Sequence, residues 1–288
     1  MTIKSILVPI TGSDVGRAAL EAAFIVAREF DAHIEGLSVS TERSEIQLFR
    51  QSQLDKSAHL EALKALETQA AEKVEEARRL FDDFIAQHSI DVSDDPADSG
   101  HPTVSWQVAV GRGAEVVGQV GGAFDLVVVS LPTVEPGQPS RETLEAAVFN
   151  TCRPVLLAPA SLPKSLGRSI VIGWNRSVQA GRAVFAAMPF LARAKRVQIV
   201  TVTTGAKRGP SHLDIARNLA WHGINAQIKE IPPDQRSVGE VLLAETTDFG
   251  ADLLVMGAYS ESRLRERIVG GVTRQVLLRG ALPVLMAR

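Results

Sequence analysis

The stretch of this 288-residue chain best equipped for chemistry runs from Val255-Met256-Gly257 through Tyr259 and Ser260, past Arg263, Arg265 and Arg267, to Gly270-Gly271-Val272-Thr273-Arg274. An apolar strand is expected to end at Gly257, a polar and basic loop to follow, and a helix to resume around Gly271. Glycines at both ends of a loop let backbone N–H groups approach an anion closely, and a helix N-terminus adds oriented donors and partial positive charge. Arg263, Arg265, Arg267 and Arg274 raise the local positive potential. The chemistry this predicts is a phosphate cradle outside the carboxyl ends of a parallel sheet, where open α/β folds bind ligands. The competing reading of the same residues is a loop kept for packing.

Other patterns carry less. Gly111-Arg112-Gly113 begins like a dinucleotide fingerprint, but Val116 stands where the third glycine belongs, so a strand-to-helix turn is expected there. Neither a phosphate-loop Gly-x4-Gly-Lys-Ser/Thr nor a nucleophile-elbow Gly-x-Ser-x-Gly occurs in the sequence. The histidines at 33, 59, 88, 101, 212 and 222 lack metal-ligand spacing and are expected at the surface or at element edges. Cys152, the single cysteine, excludes a disulfide framework and is expected to be a small buried side chain. Aromatic residues are few and none interleaves with basic runs, which argues against a nucleic-acid platform.

The elements that must position the basic loop occur twice. Ile6-Leu7-Val8-Pro9-Ile10 leads through Thr11-Gly12-Ser13 into Gly16-Arg17-Ala18, and Ile170-Val171-Ile172-Gly173 leads through Trp174-Asn175-Arg176-Ser177 into Gly181-Arg182-Ala183. Each reads as a buried parallel strand, a polar turn and a helix. Pro189 is expected to kink or shorten the second of those helices. Further along, Asp125–Ser130 matches Asp252–Gly257, and the closing strands Val155–Ala158 and Val284–Ala287 match as well. Apolar runs alternating with amphipathic segments predict an α/β fold, a doubly wound parallel sheet in each copy, with domains spanning 1–160 and 167–288. The copies differ at residues 42–87, a polar helix-forming stretch whose Leu60, Leu63, Leu66, Ala70, Val74, Ala77, Phe81 and Phe84 trace one face. A helix packed on its own sheet is expected there rather than a coiled-coil arm. Asp91–His101 reads as a loop.

Net charge supports the division. Residues 1–160 hold 13 Lys and Arg against 24 Asp and Glu, a net −11, while 161–288 hold 18 against 9, a net +9. The positive potential lies in the half that carries the glycine loop. No apolar run reaches the 18 or so residues of a membrane span, and the first is too short for a signal-peptide core. A cytoplasmic protein with no membrane partner is expected.

The tandem pattern, the glycine loop and the closing Leu282-Pro283-Val284-Leu285-Met286 resemble the universal stress protein family across essentially the whole chain. The resemblance implies two tandem Rossmann-like domains of the adenine-nucleotide alpha-hydrolase-like kind. Nucleotide-binding members carry Gly, two residues, Gly, nine residues, then Gly followed by Ser or Thr. The matching positions are Gly257, Ser260, Gly270 and Gly271. Ser260 replaces the second glycine. Gly271 replaces the hydroxyl residue, a loss of about 0.5–1.5 kcal/mol for one hydrogen bond, with Thr273 two places on. The acidic residue that the family places after the first strand is Thr11 in one copy and Asn175 in the other, whose amide can still bond a base or ribose. Trp174 is expected in the core.

In the first copy the loop reads Leu131-Pro132-Thr133-Val134-Glu135-Pro136-Gly137-Gln138-Pro139-Ser140, and Arg141-Glu142 stands where the second has Gly270-Gly271. Prolines remove donors, and Glu135 and Glu142 repel phosphate, so no nucleotide is expected there. By this resemblance the protein is a stress-response sensor or interaction module. It would hold ATP, ADP or AMP, with or without Mg, in its C-terminal half through Gly257, Ser260, Arg263, Arg265, Gly270, Gly271, Thr273 and Asn175. Catalysis is expected to be absent or limited to slow ATP hydrolysis. A homo-oligomer is expected, and the closing strands of the two copies are implied to pair. The alternatives are a nucleotide-free dimerisation or protein-binding module, and a nucleotide-using ligase or hydrolase of related fold.

Overall fold

The apolar runs become strands of one sheet in the computed structural model, which describes residues 2–12, 14–40, 56–95, 100–131, 141–203, 209–232, 235–259, 271–279 and 281–288. The strands are β1 (Ser5–Pro9), β2 (His33–Ser40), β3 (Asp91–Val92), β4 (Thr103–Val110), β5 (Leu126–Ser130) and β6 (Val155–Ala158), then β7 (Ser169–Gly173), β8 (Arg196–Val202), β9 (Ala226–Ile231), β10 (Leu253–Gly257) and β11 (Val284–Ala287). They lie in the order β3-β4-β2-β1-β5-β6-β11-β10-β7-β8-β9. Every neighbouring pair is parallel except β6 and β11. Each half therefore places its first strand between its second and its fourth major strand. Ile6 is opposite Ile34 and Leu126, and Ile170 is opposite Val197 and Leu253.

The helices are α1 (Asp14–Phe30), α2 (Lys56–His88), α3 (Gly113–Val120), α4 (Arg141–Asn150), α5 (Val178–Ala186), α6 (Met188–Leu191), α7 (His212–Trp221), α8 (Val238–Phe249) and α9 (Gly271–Arg279). Successive strand residues point to opposite faces. Ile6, Val8, Ile170 and Ile172 accordingly pack with α1, α5 and α7, while Leu7, Val127, Val171 and Leu254 pack with α4, α8 and α9. The expected doubly wound architecture is present in both halves.

The two halves join along their closing strands. Val155, Leu156 and Leu157 are opposite Met286, Leu285 and Val284 in antiparallel register. All six are buried, and the core on each face continues across this seam. Pairing also removes two open strand edges. The matching aspartates do matching work. Asp125 Oδ2 accepts from Lys4 N at 2.8 Å and Ser5 N at 3.1 Å, and Asp252 accepts from Gly167 N, Arg168 N and Ser169 N at 2.9–3.1 Å. Each ties the start of its half's first strand to the strand beside it.

Local expectations fare differently. Pro189 falls in the first turn of α6, where its missing N–H is harmless, and α5 stops at Ala186. Ala77, Phe81 and Phe84 of α2 are buried in the sheet core, each phenylalanine contributing about 1.5–3 kcal/mol. The first part of the 42–87 stretch, 42–55, lies outside the described residues. Asp91–His101 is not wholly a loop, because Asp91 and Val92 pair with Thr103 and Val104 of β4. Cys152 is exposed, not buried. The turn from α4 to β6 is left-handed there (φ 55°) and buries Thr151 instead, whose hydroxyl donates to Ala147 O at 2.6 Å. Two histidines are also more enclosed than expected. His88 sits against the rings of Phe24 and Phe84, with Nε2 3.0 Å from Glu21 Oε1. His33 Nδ1 lies 2.8 Å from Thr103 Oγ1 and Nε2 lies 2.9 Å from Ser105 Oγ.

Candidate functional site

Strand β7 and strand β10 are neighbours, Gly173 opposite Met256, and the helices that follow them leave on opposite faces. That is a topological switch point, the place in an open α/β sheet where a crevice forms beyond the strand ends. Asn175 lies two residues and Gly257 one residue past that register pair, both at the carboxyl end of the sheet in the C-terminal half.

Gly257 is small for a reason visible in the packing. A Cβ there would lie 2.5 Å from Ala180 N and 2.7 Å from Gln179 C, so the first turn of α5 rests directly on the strand end. The turn before that helix is built by its own side chains. Ser177 Oγ accepts from Ala180 N at 3.1 Å, an N-cap. Asn175 Oδ1 accepts from Ser177 N at 3.1 Å and from Ser177 Oγ at 2.6 Å, so its carboxamide oxygen is engaged in the turn. Arg176 is left-handed (φ 63°), and its carbonyl is so close to Gly209 (φ 121°) that a Cβ on Gly209 would lie 2.3 Å away. Trp174 is buried in the core as expected, its indole N–H donating to Pro210 O at 3.1 Å. Nearby, the Ser211 hydroxyl and amide hold the Asp214 carboxyl below its ordinary range, with Arg217 and Arg176 adding to the effect.

Gly271 opens α9, and a Cβ there would meet none of the described residues within 4 Å. Thr273 is buried and Arg274 exposed, so the helix turns the threonine inward and the arginine outward. The Ser237–Glu240 capping box of α8 is linked to the last turn of α9, where Arg279 Nη1 donates to Glu240 Oε1 at 2.7 Å. Ser260, Arg263, Arg265 and Gly270 lie outside the described residues, as does Arg267.

One contributor escaped sequence reasoning. Tyr259, at the start of the basic loop, leaves the strand in a left-handed conformation (φ 53°) and packs on Phe149 of α4, ring centroids 4.5 Å apart. The Arg288 guanidinium covers Phe149 at 4.1 Å. Burial first, and then the Glu145 carboxylate, push the Tyr259 hydroxyl up to about 12, with Arg141 opposing. The N-terminal half thus anchors the first residue of the C-terminal loop.

The equivalent position in the N-terminal half is built otherwise. β1 and β5 are again adjacent, but α2 lies over the turn after β1, where a Cβ on Gly12 would lie 2.5 Å from Glu76 Cβ. Ser130 at the end of β5 is buried, and α4 begins at Arg141. Residues 132–140 lie outside the described residues. Among the described residues, no group of three or more His, Cys, Asp or Glu could hold a metal ion, and no helix is long and apolar enough to cross a membrane.

The model of the universal stress protein family matches residues 2–131 and 232–288, more than half of the chain. The chain belongs to the universal stress protein family. Its fold is also that of solved members. A universal stress protein from Archaeoglobus fulgidus DSM 4304 is 14% identical, with 99% of this chain and 98% of that one covered at a TM-score of 0.67. A putative universal stress protein from Pseudomonas aeruginosa UCBPP-PA14 is 15% identical over 99% and 93% of the two chains, with a TM-score of 0.56. Among curated proteins, none matches this chain.

Proposed function

We propose that this universal stress protein binds an adenine nucleotide, ATP, ADP or AMP, in its C-terminal half and acts as a nucleotide-responsive sensor or interaction module. The observation that carries the reading is the switch point between β7 and β10, with Asn175 and Gly257 just past its two strand ends and the first turn of α5 against Gly257. Gly257, Ser260, Gly270, Gly271 and Thr273 form the loop and helix start assigned to phosphate, with Arg263 and Arg265 supplying charge and Asn175 near the nucleoside. Among the described residues nothing stands within 4 Å of a Cβ at Gly271, which fits a bulky phosphate chain better than the inward-facing Thr273 does. Mg, when present, would be held by the phosphates. In the N-terminal half, α2 over Gly12 and Arg141-Glu142 at the helix start argue against a second nucleotide. We take the functional units as 1–160 and 167–288, in a cytoplasmic protein that assembles with further copies of itself.

A second reading, a nucleotide-free interaction module, is favoured by the engagement of Asn175 Oδ1 with Ser177. Mass spectrometry of small molecules released from denatured protein, with calorimetry against ATP, separates the two. About one adenine nucleotide per chain, and loss of binding in a folded Gly270→Leu variant, is expected. A clean protein with no heat of ATP binding leaves the second reading standing, and unchanged affinity in Gly270→Leu removes the loop assignment.

A further inference from the structure

A cavity of about 350 Å³ opens where the two halves meet, at the amino end of β7 and so at the opposite end of the sheet from the glycine loop. Its sides come from the last turns of α1, the connection through Leu166 to Arg168, and the turn between α6 and β8. The volume falls in the range of small-molecule sites, about 300–1,000 Å³, and such sites favour boundaries between folded units.

The floor is aromatic. Phe30 and Phe190 are buried, one from each half, and their rings meet edge to face with centroids 5.4 Å apart. The rim is strongly cationic. Arg28, Lys164, Arg168, Arg193 and Lys195 line the cavity against one carboxylate, Glu29. That carboxylate is already paired, with Arg193 Nη1 3.4 Å from Glu29 Oε1 and the same guanidinium 4.4 Å over the Phe30 ring. Among the described residues no carboxylate lies in salt-bridge range of Arg28, Lys164, Arg168 or Lys195. Four cations that no described carboxylate pairs, around one concave aromatic floor, repel one another and focus a positive potential into it. A ligand that relieves this must carry concentrated negative charge on an apolar body.

We propose that the seam cavity is a second ligand site, separate from the glycine loop, that takes a small phosphate ester. Its apolar body lies against the floor at Phe190, beside the Arg193 guanidinium that covers Phe30, and its phosphate meets Lys164, Arg168, Lys195 and Arg28. Because the floor has one ring from each half, an occupied site clamps the two halves together.

The probe is 1-naphthyl phosphate, titrated calorimetrically into the full chain at low ionic strength, with 1-naphthol and inorganic phosphate as separate arms. One site per chain is expected, with the ester binding at least about tenfold tighter than either fragment. Its affinity should fall as salt screens the rim, and it should raise the melting temperature of the chain by linkage. The exposed pair Lys164→Gln with Lys195→Gln should fold normally and lose about tenfold in affinity, and Arg28→Gln with Arg168→Gln should do the same. Absence of binding to the wild-type chain overturns the proposal. So does affinity unchanged in both variants, or complete displacement of the probe by ATP with both variants behaving as wild type.

Discussion

Replacing Gly257 with alanine tests the contact that brings the switch point together. The added methyl would lie 2.5 Å from Ala180 N and 2.7 Å from Gln179 C, both backbone atoms of the α5 first turn. Neither can swing aside as a long side chain would, so α5 must slide off the strand end, and overpacking of this kind costs about 1–3 kcal/mol. The neighbouring substitution Gly271→Ala provides the internal control. Its methyl meets none of the described residues and the position is helical, so it should leave stability unchanged or raise it by about 0.5–1 kcal/mol through the smaller backbone entropy cost. Urea unfolding in the absence of nucleotide reads both, the midpoint falling for Gly257→Ala at unchanged slope and holding or rising for Gly271→Ala. A Gly257→Ala variant within about 0.5 kcal/mol of wild type, the range of ordinary surface substitutions, would refute the close approach.

Tyr259 is the sole tyrosine of the chain, so alkaline spectrophotometric titration reports on it directly. With its hydroxyl pushed up to about 12, little tyrosinate should form near pH 10, where an exposed tyrosine is half ionised. Phe149→Ala should move the midpoint back toward that value, and half ionisation of the wild-type chain near pH 10 would show that the contact across the seam is absent in solution. Burial, partly offset by the nearby Asp94 carboxylate, holds His33 below the ordinary imidazole value of 6.5. The unfolded chain therefore binds this proton at a higher pH than the folded one, and stability falls as pH drops below about 6.5. His33→Gln should flatten that part of the stability–pH curve measured between about pH 7 and 5.5, and an unaltered slope would assign the loss to other groups.

The strands were legible because parallel strands buried on both faces are continuous apolar runs, and Ile6–Val8 and Ile170–Ile172 meet that condition. Pro189 carries its own backbone rule, so the break after α5 was legible as well. Within the site, the position of Gly257 could be read from the strand that ends there, but its contact with Gln179 and Ala180 depends on how closely α5 approaches. The inward turn of Thr273 did leave a signal. Thr273 and Val276 share a helical spacing of three, which puts the hydroxyl on the apolar stripe that Val276 defines. Other features are invisible to local pattern. Tyr259 touches Phe149 only because β6 and β11 bring the halves into register. Glu76 covers Gly12 because of where α2 lands on the sheet, which periodicity does not specify. Cys152 looked like a small core residue, but the left-handed turn beneath it buries Thr151 in its place.

The seam between β6 and β11 has a consequence for how the two halves are free to differ. Its partners are tethered by residues 159–168, so their encounter depends on an effective concentration and not on how much protein is present. In a pair assembled from two identical chains, every substitution appears on both sides of the axis, and a site lost from one copy is lost from both. Here each side is written separately. Arg141-Glu142 can stand where the other half has Gly270-Gly271, and a long helix can cover the turn after β1 while Gly209 approaches the turn after β7. The tandem chain keeps an interface that needs two copies of the fold, while the sequence of each copy is free to change alone.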